Sequence, residues 1–419
     1  MTKPAPALGI RVDADGLQRR IDELALISEA PAPVVTRVLF SEADCRGRDY
    51  VRRAAREAGL AVREDAVGNI FARWEGTDPA LAAVGSGSHT DAIPNAGRYD
   101  GVVGVLGAFE ALAALRQAGF RPRRALEVVM FTSEEPTRFG LGCLGSRMIA
   151  GSVSADQARA LRDPDGRSLE ELRGAAGCSG PLESVKRGPG CYHAFVELHI
   201  EQGPLLEEGG FAIGIVERIA GPSSYRLRLE GEGGHAGAVL MPGRRDAMLA
   251  GAEVALAVEK AARSSGSPDT VGTVGVFRVE PGAINSVPFR AYLEIDLRDS
   301  GLKTRGKALG EIQAAVAEIA SRRRVSAQLE EINADPPAEG DPATVAIVGE
   351  VCAELGLSSL RMVSRAYHDS LFMARVCPTT MIFIPCRNGW SHRPEEFASP
   401  QHVAAGAEVL ARTLARLAA

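Results

Sequence analysis

Chemistry in this chain concentrates around its histidines. Of seven, four stand in short clusters with carboxylates or glycines: Ser88-His89-Thr90-Asp91, Glu197-Leu198-His199-Ile200-Glu201, Gly234-His235-Ala236-Gly237 and Ser391-His392-Arg393-Pro394-Glu395. The first, second and fourth fall at or just after the carboxyl ends of segments that read as buried strands, where open α/β sheets bind their ligands. One such histidine is more often a hydrogen-bonded structural group. Three at equivalent strand ends, with acids nearby, point to a metal site. Asp100 precedes Gly101 at the start of a helical pattern, and Glu134-Glu135 closes a strand-like run. Adjacent acids facing one site repel unless their jobs differ. One then binds a cation and the other handles protons; the alternative is a solvated turn. His89, Asp100, Glu135, His199 and His392 form a set of imidazoles and carboxylates without thiolates, which suits zinc, manganese, cobalt or nickel. Five ligands on two metals need one shared carboxylate, and a dinuclear centre activates water and polarises a carbonyl.

Strands and helices must bring these groups together. Apolar runs at 81–85, 126–132, 194–200 and 380–385, bounded by turn residues, read as buried strands, and Val102, Leu106, Phe109 and Ala113 share one helical face. The alternation predicts an α/β domain with helices on both faces of a largely parallel sheet. From 221 the pattern changes to strand 225–230, helix 245–262, strands 271–279 and 291–298, helix 305–322 and strand 325–331. That βαββαβ order is ferredoxin-like. Its flanks, Ile219-Ala-Gly-Pro222 and Asn333-Ala-Asp-Pro-Pro337, carry linker residues. We therefore expect a discontinuous catalytic domain, 1–220 and 334–419, interrupted by an inserted domain, 221–333.

Composition narrows the class. The 419 residues are 45% hydrophobic and 24% charged, with 48 Lys+Arg against 53 Asp+Glu and a net charge of −5, an ordinary soluble composition. No basic run suggests nucleic acid, and no apolar run is long enough for a membrane span. Residues 1–10 lack a basic and then apolar leader, and seven scattered cysteines form no C-x-x-C pair. A cytoplasmic protein with reduced thiols is expected. No Gly-x-Ser-x-Gly elbow occurs, and no cysteine neighbours a plausible base in sequence, which argues against serine or cysteine amidases.

Longer stretches make a resemblance specific. Gly87-Ser-His-Thr-Asp-Ala-Ile-Pro-Asn-Ala-Gly-Arg-Tyr-Asp-Gly101, Phe131-Thr-Ser-Glu-Glu135, Arg138-Phe-Gly140 and Gly145-Ser-Arg147 come first. Glu197-Leu-His-Ile-Glu-Gln-Gly-Pro204, His235-Ala-Gly237, Asn285-Ser-Val-Pro288, Asp296-Leu-Arg298 and Gly389-Trp-Ser-His392 follow. In this order they resemble the amidase branch of the M20 metallopeptidase family, which includes N-carbamoyl-L-amino-acid hydrolases, allantoate amidohydrolases and β-ureidopropionases. The resemblance implies a di-metal aminopeptidase-like fold with an inserted lid and dimerisation domain. It implies two divalent ions per subunit, zinc first, with manganese, cobalt or nickel as substitutes. His89 and His199 would hold one ion and Glu135 and His392 the other, with Asp100 bridging. Asp91 would orient His89, and Glu134 would be the general base toward a water between the ions. His235 would stabilise the oxyanion from the partner subunit of a homodimer. Arg298 and Asn285 would bind the substrate carboxylate, and Gln202 would support the site. The implied reaction is hydrolysis of an N-carbamoyl amino acid or related ureido acid; an N-acyl-amino-acid or dipeptide hydrolase is the alternative.

The chain departs from that family at several points. Ala238-Val-Leu-Met241 replaces a Thr-Thr-Pro-Met-type stretch, Gly221-Pro-Ser-Ser224 replaces a segment usually carrying Gln or Arg, and Pro136 stands where Gly is commoner. Ser364-Arg-Ala-Tyr-His-Asp369 replaces Ser-Gly-Ala-Gly-His-Asp, so Arg365 and Tyr367 stand for two glycines. A second guanidinium beside Arg298 predicts a compact, doubly anionic substrate such as N-carbamoyl-aspartate; the alternative is that Arg365 faces solvent or pairs with a local acid.

Overall fold

A computed structural model describes residues 9–419, so most of the segment read for an export leader lies outside the described residues. The chain divides into two units. The first comprises the described residues up to Glu217, with Glu339–Met362 and His368–Ala419; the second comprises Arg218–Ala338 and Val363–Tyr367. The second unit thus extends past both expected boundaries and takes in five residues from the late part of the chain.

The first unit is built on a nine-stranded sheet. Its centre is four parallel strands, in the order Thr379–Ile384, Tyr192–Ile200, Ala83–His89 and Leu126–Phe131. These are buried almost throughout, as strands covered on both faces must be, and their side chains are mostly apolar or small, with His89, Glu127, Glu197 and His199 buried among them. Ile213–Ile219 on one side and Ile70–Trp74 with Ala61–Glu64 on the other run antiparallel. The sheet is therefore mixed, parallel at its centre and antiparallel on both flanks. Of the flank pairings only Ala61–Glu64 with Ile70–Trp74 is made through a short connection; the other two join strands far apart in sequence.

Side chains along Leu126–Phe131 alternate between two cores. Val128 and Met130 pack with the helices Val102–Gln117 and Pro400–Leu417, while Val129 and Phe131 pack with Leu144, Met148 and Phe195 on the other face. Gly87 marks the closest approach inside the sheet: its φ is +141°, and a Cβ there would lie 1.9 Å from the Val129 carbonyl oxygen. Among the described residues no helix is long and apolar enough to cross a membrane.

The second unit holds a four-stranded antiparallel sheet in the order Val271–Glu280, Arg290–Asp299, Gly221–Glu230, Ser326–Ala334. Arg290–Asp299 alternates strictly between buried and half-buried positions. Its Ala291, Leu293, Ile295 and Leu297 meet the helices Ala247–Arg263 and Leu302–Arg323 in a separate core. One face is packed and the other is open, as the period of two in the sequence requires.

Candidate metal centre

The sheet of the first unit delivers its donors at one end. His89 is the last residue of Ala83–His89 and His199 the penultimate residue of Tyr192–Ile200. Glu134 and Glu135 follow Leu126–Phe131, and His392 follows Thr379–Ile384. Asp100 sits just before the helix Val102–Gln117, whose N-cap Gly101 has φ +66°. A side chain at 101 would place Cβ 2.4 Å from His89 Nε2, so glycine here keeps the approach to the imidazole open. Ser133, Gln202 and His392 all adopt positive φ without being glycine. Such conformations persist where surrounding structure imposes them, and they gather at functional sites.

The other four expected ligands gather around Asp100. Its Oδ1 lies 3.1 Å from His199 Nε2 and 3.7 Å from His89 Nε2, and its Oδ2 lies 3.2 Å from His392 Nε2. Glu135 Oε1 is 3.2 Å from the same His392 nitrogen. His89 Nδ1 faces the Asp91 carbonyl oxygen at 3.0 Å and His199 Nδ1 faces that of Ile200 at 2.8 Å. A proton on each Nδ1 satisfies those carbonyls and turns each Nε2 lone pair toward Asp100, the arrangement usual for metal-binding imidazoles; the Gly101 N–H also donates to His199 Nε2 at 3.1 Å. Asp91 turns its carboxylate the other way, accepting from the backbone N–H of Glu134 at 3.3 Å and of Glu135 at 3.1 Å. It thereby ties the acid pair to the His89 strand. Glu134 Oε2 is 3.6 Å from His89 Nε2, and every one of these side chains except that of His392 is buried.

The electrostatics fit a divalent metal. Burial opposes charge on Asp100, yet the imidazoles of His199, His392 and His89 around it hold it well below the usual carboxylate range. Burial pushes Glu134 well above its ordinary value, and it pushes Asp91 up to about 6, with His89 working against both shifts. Asp100 and Glu135 raise His392 to about 11. Four buried carboxyl groups stand among three imidazoles, a set whose negative charge a doubly charged cation would neutralise. The groups within reach of a common ion are His89, Asp100 and His199, and Asp100, Glu135 and His392. A third group, Glu197, His199 and His368, also has metal-like spacing. There Glu197 is engaged otherwise, accepting from Ser88 Oγ at 2.7 Å and from the Ser370 N–H at 3.0 Å.

Several supporting residues were not anticipated. Glu396 accepts from the Tyr99 and Asp100 N–H groups at 2.7 and 3.2 Å, and Ser391 Oγ lies 2.9 Å from Glu396 and 2.8 Å from Asp100. The 391–395 motif stopped one residue short of Glu396. Gln202, expected to support the site, donates its amide to Asp100 Oδ2 at 2.8 Å. Glu201 caps the helix Leu205–Gly209, accepting from the N–H groups of Leu205 and Leu206. Cys143 Sγ lies 3.5 Å from Glu134 Oε1, so a cysteine does neighbour the expected base in space. Burial, and Glu134 itself, push its thiol well above the ordinary value, the opposite of a nucleophilic cysteine.

The remaining expected residues belong to the second unit. His235 is exposed on a two-residue strand, Gly234–His235, paired with Ser286–Val287, and the Ala236 N–H donates to the Asn285 carbonyl at 2.8 Å. His235 and Asn285 are therefore neighbours on one ribbon. Arg298 donates from Nε to Asp296 at 2.6 Å, and its guanidinium stands 5.1 Å from the Tyr367 ring centroid. Arg365 corrects an expectation. Its guanidinium pairs with Asp269 at 2.6 Å, an acid nearly a hundred residues away that sequence proximity could not suggest. With its charge matched, Arg365 gives no ground for a doubly anionic substrate.

Comparison with known proteins follows this geometry. Residues 85–416 match the model of Peptidase family M20/M25/M40. Ureidoglycolate hydrolase of Arabidopsis thaliana is 52% identical over 98% of this chain and 88% of its own length. N-carbamoyl-L-amino acid amidohydrolase of Geobacillus stearothermophilus is 38% identical over 97% of this chain and 99% of its own. The crystal structure of AtUAH in complex with (S)-hydroxyglycine superposes with a TM-score of 0.90 at 52% identity, covering 98% of each chain.

Proposed function

The chain belongs to peptidase family M20/M25/M40 and is a hydrolase of carbon–nitrogen bonds other than peptide bonds; from that premise we propose that it is a metal-dependent amidohydrolase of a small ureido acid, with ureidoglycolate foremost. The observation that carries the proposal is the pairing of Glu135, within ligand distance of His392, with Glu134, buried beside His89 and outside the ligand groups. The choice among ureido acids rests on the similarity to ureidoglycolate hydrolase over nearly the whole chain.

His89 and His199 with Asp100 would hold one divalent ion, and Glu135 and His392 with Asp100 the other. When bound, such ions supply Lewis acidity toward the scissile carbonyl and lower the pKa of nearby water. Glu134 takes a proton from the attacking water and delivers it to the departing nitrogen, a role its raised affinity for protons suits. Asp91 keeps the acid pair in place through two backbone N–H groups. Arg298 holds the substrate carboxylate, Asn285 binds beside it, and His235 meets the oxyanion from the partner subunit of a homodimer. Addition of water across the ureido group releases ammonia and carbon dioxide and leaves the amine of the acid.

The test is loss of each substrate, with release of ammonia from the ureido acids and of the free amino acid from the others, by one metal-loaded preparation offered ureidoglycolate, allantoate, N-carbamoyl-amino acids, an N-acetyl-amino acid and a dipeptide. Highest kcat/KM on ureidoglycolate is expected. Turnover confined to the dipeptide or the acetyl compound would overturn the proposal.

A further inference from the structure

We propose that Cys143 is a positioning residue for Glu134, its thiol hydrogen-bonded to one carboxylate oxygen so that the other faces the metal ligands. The inference rests on the reading of Glu134 as general base. Cys143 is the N-cap of the helix Leu144–Ala150, with φ +56° and no side-chain cap bond. Neither feature favours cysteine. Positive φ selects glycine or asparagine, and an N-cap selects serine, threonine, aspartate or asparagine. Capping is also unnecessary here. The Cys143, Leu144 and Gly145 N–H groups donate to the carbonyls of Glu134, Ser133 and Thr132 at 2.8, 2.9 and 2.8 Å. The start of the helix is thus satisfied by the backbone of the acid-bearing loop, and the 143 side chain is released from that duty.

What the side chain does instead is reach Glu134. Sγ lies 3.5 Å from Oε1, while Oε2 is 3.6 Å from His89 Nε2 on the ligand side. Both residues are buried, so no water competes for Oε1. Burial keeps the sulfur a thiol and hence a donor. A carboxylate held at one oxygen cannot swing about its last torsion, and the free oxygen stays in the position from which a proton is taken.

The experiment compares wild type, Cys143→Gly, Cys143→Ser and Glu134→Gln as metal-loaded enzymes. Glycine suits the positive φ, so Cys143→Gly should fold, keep its metal and melt near wild type. We expect kcat to fall about 3- to 10-fold, as for one lost hydrogen bond, with KM within about twofold. Cys143→Ser returns a donor and should recover most of the rate. The infrared S–H band found by subtracting the Cys143→Ser spectrum from wild type should lie at lower wavenumber than a free thiol and move up in Glu134→Gln. Wild-type kcat in Cys143→Gly, equal impairment of the Gly and Ser variants, or an S–H band indifferent to Glu134→Gln would each overturn the proposal alone. Full turnover by Glu134→Gln would overturn the base assignment and this proposal with it.

Discussion

The two units of this protein hold their candidate groups in opposite conditions. In the first, His89, His199, Asp100, Glu134 and Glu135 are buried and nearly every oxygen and nitrogen has a neighbour. In the second, His235 and Asn285 stand exposed on a short ribbon, and Arg298 rests on Asp296. Burying charge is costly unless it is paired or neutralised by metal, so the first unit has given up solvent in exchange for fixed geometry. The second leaves His235 and Asn285 exposed and Arg298 partly so. On the proposed roles, rigid chemistry and reversible recognition would be divided between separate cores.

Metal removal should separate the units most sharply. Chelation is expected to abolish turnover and to raise hydrogen exchange around 89–101 and 131–135, while the strands at 225–230 and 291–298 keep their protection. Equal loosening of both would show that the units share one cooperative core. Glu134→Gln comes next: kcat should fall at least about 10²-fold with metal content unchanged on elemental analysis. Loss of metal would mean that Glu134 and Glu135 exchange roles. For His235→Ala a fall of about 10²-fold in kcat is expected, with partial recovery on mixing with Glu134→Gln subunits. No recovery despite proven exchange would place His235 in its own subunit's reaction. Arg298→Ala should act mainly on KM, by about 10-fold or more, since a charge-assisted hydrogen bond is lost; an effect confined to kcat would remove Arg298 from substrate recognition. Arg365→Gly is expected to change the preference among ureido acids by less than about twofold, because its charge is spent on Asp269. A larger change, read from ratios of kcat/KM, would restore it as a substrate contact.

Sequence alone exposed the parts of the fold whose cause is local. Period-two alternation in 291–298 and the largely apolar runs of the central strands follow directly from which faces are covered. The histidine and carboxylate motifs were visible because each strand end carries its donor within a few residues. Flank direction was not visible, since Ile213–Ile219 is as apolar as its parallel neighbours. Nor were the supports: Glu396 reaches Asp100 across 296 positions, Cys143 meets Glu134 only because a helix starts back along the acid-bearing loop, and Arg365 finds Asp269 across 96. Pairings of that kind depend on topology that no short window contains.

The adoption of Val363–Tyr367 by the second unit also has a bearing on synthesis. A ribosome that has released residues through Ala338 has made the whole four-stranded sheet, yet Asp269 still waits for a guanidinium to be translated. The sheet can form early, but this ion pair closes only after the following helix Pro342–Glu354 and strand Ser359–Ser364 have emerged. A fragment excised at 218 and 338, expressed for its own sake, would therefore leave the Asp269 carboxylate without its guanidinium, held by Ser300 Oγ, and lack the ring beneath Arg298.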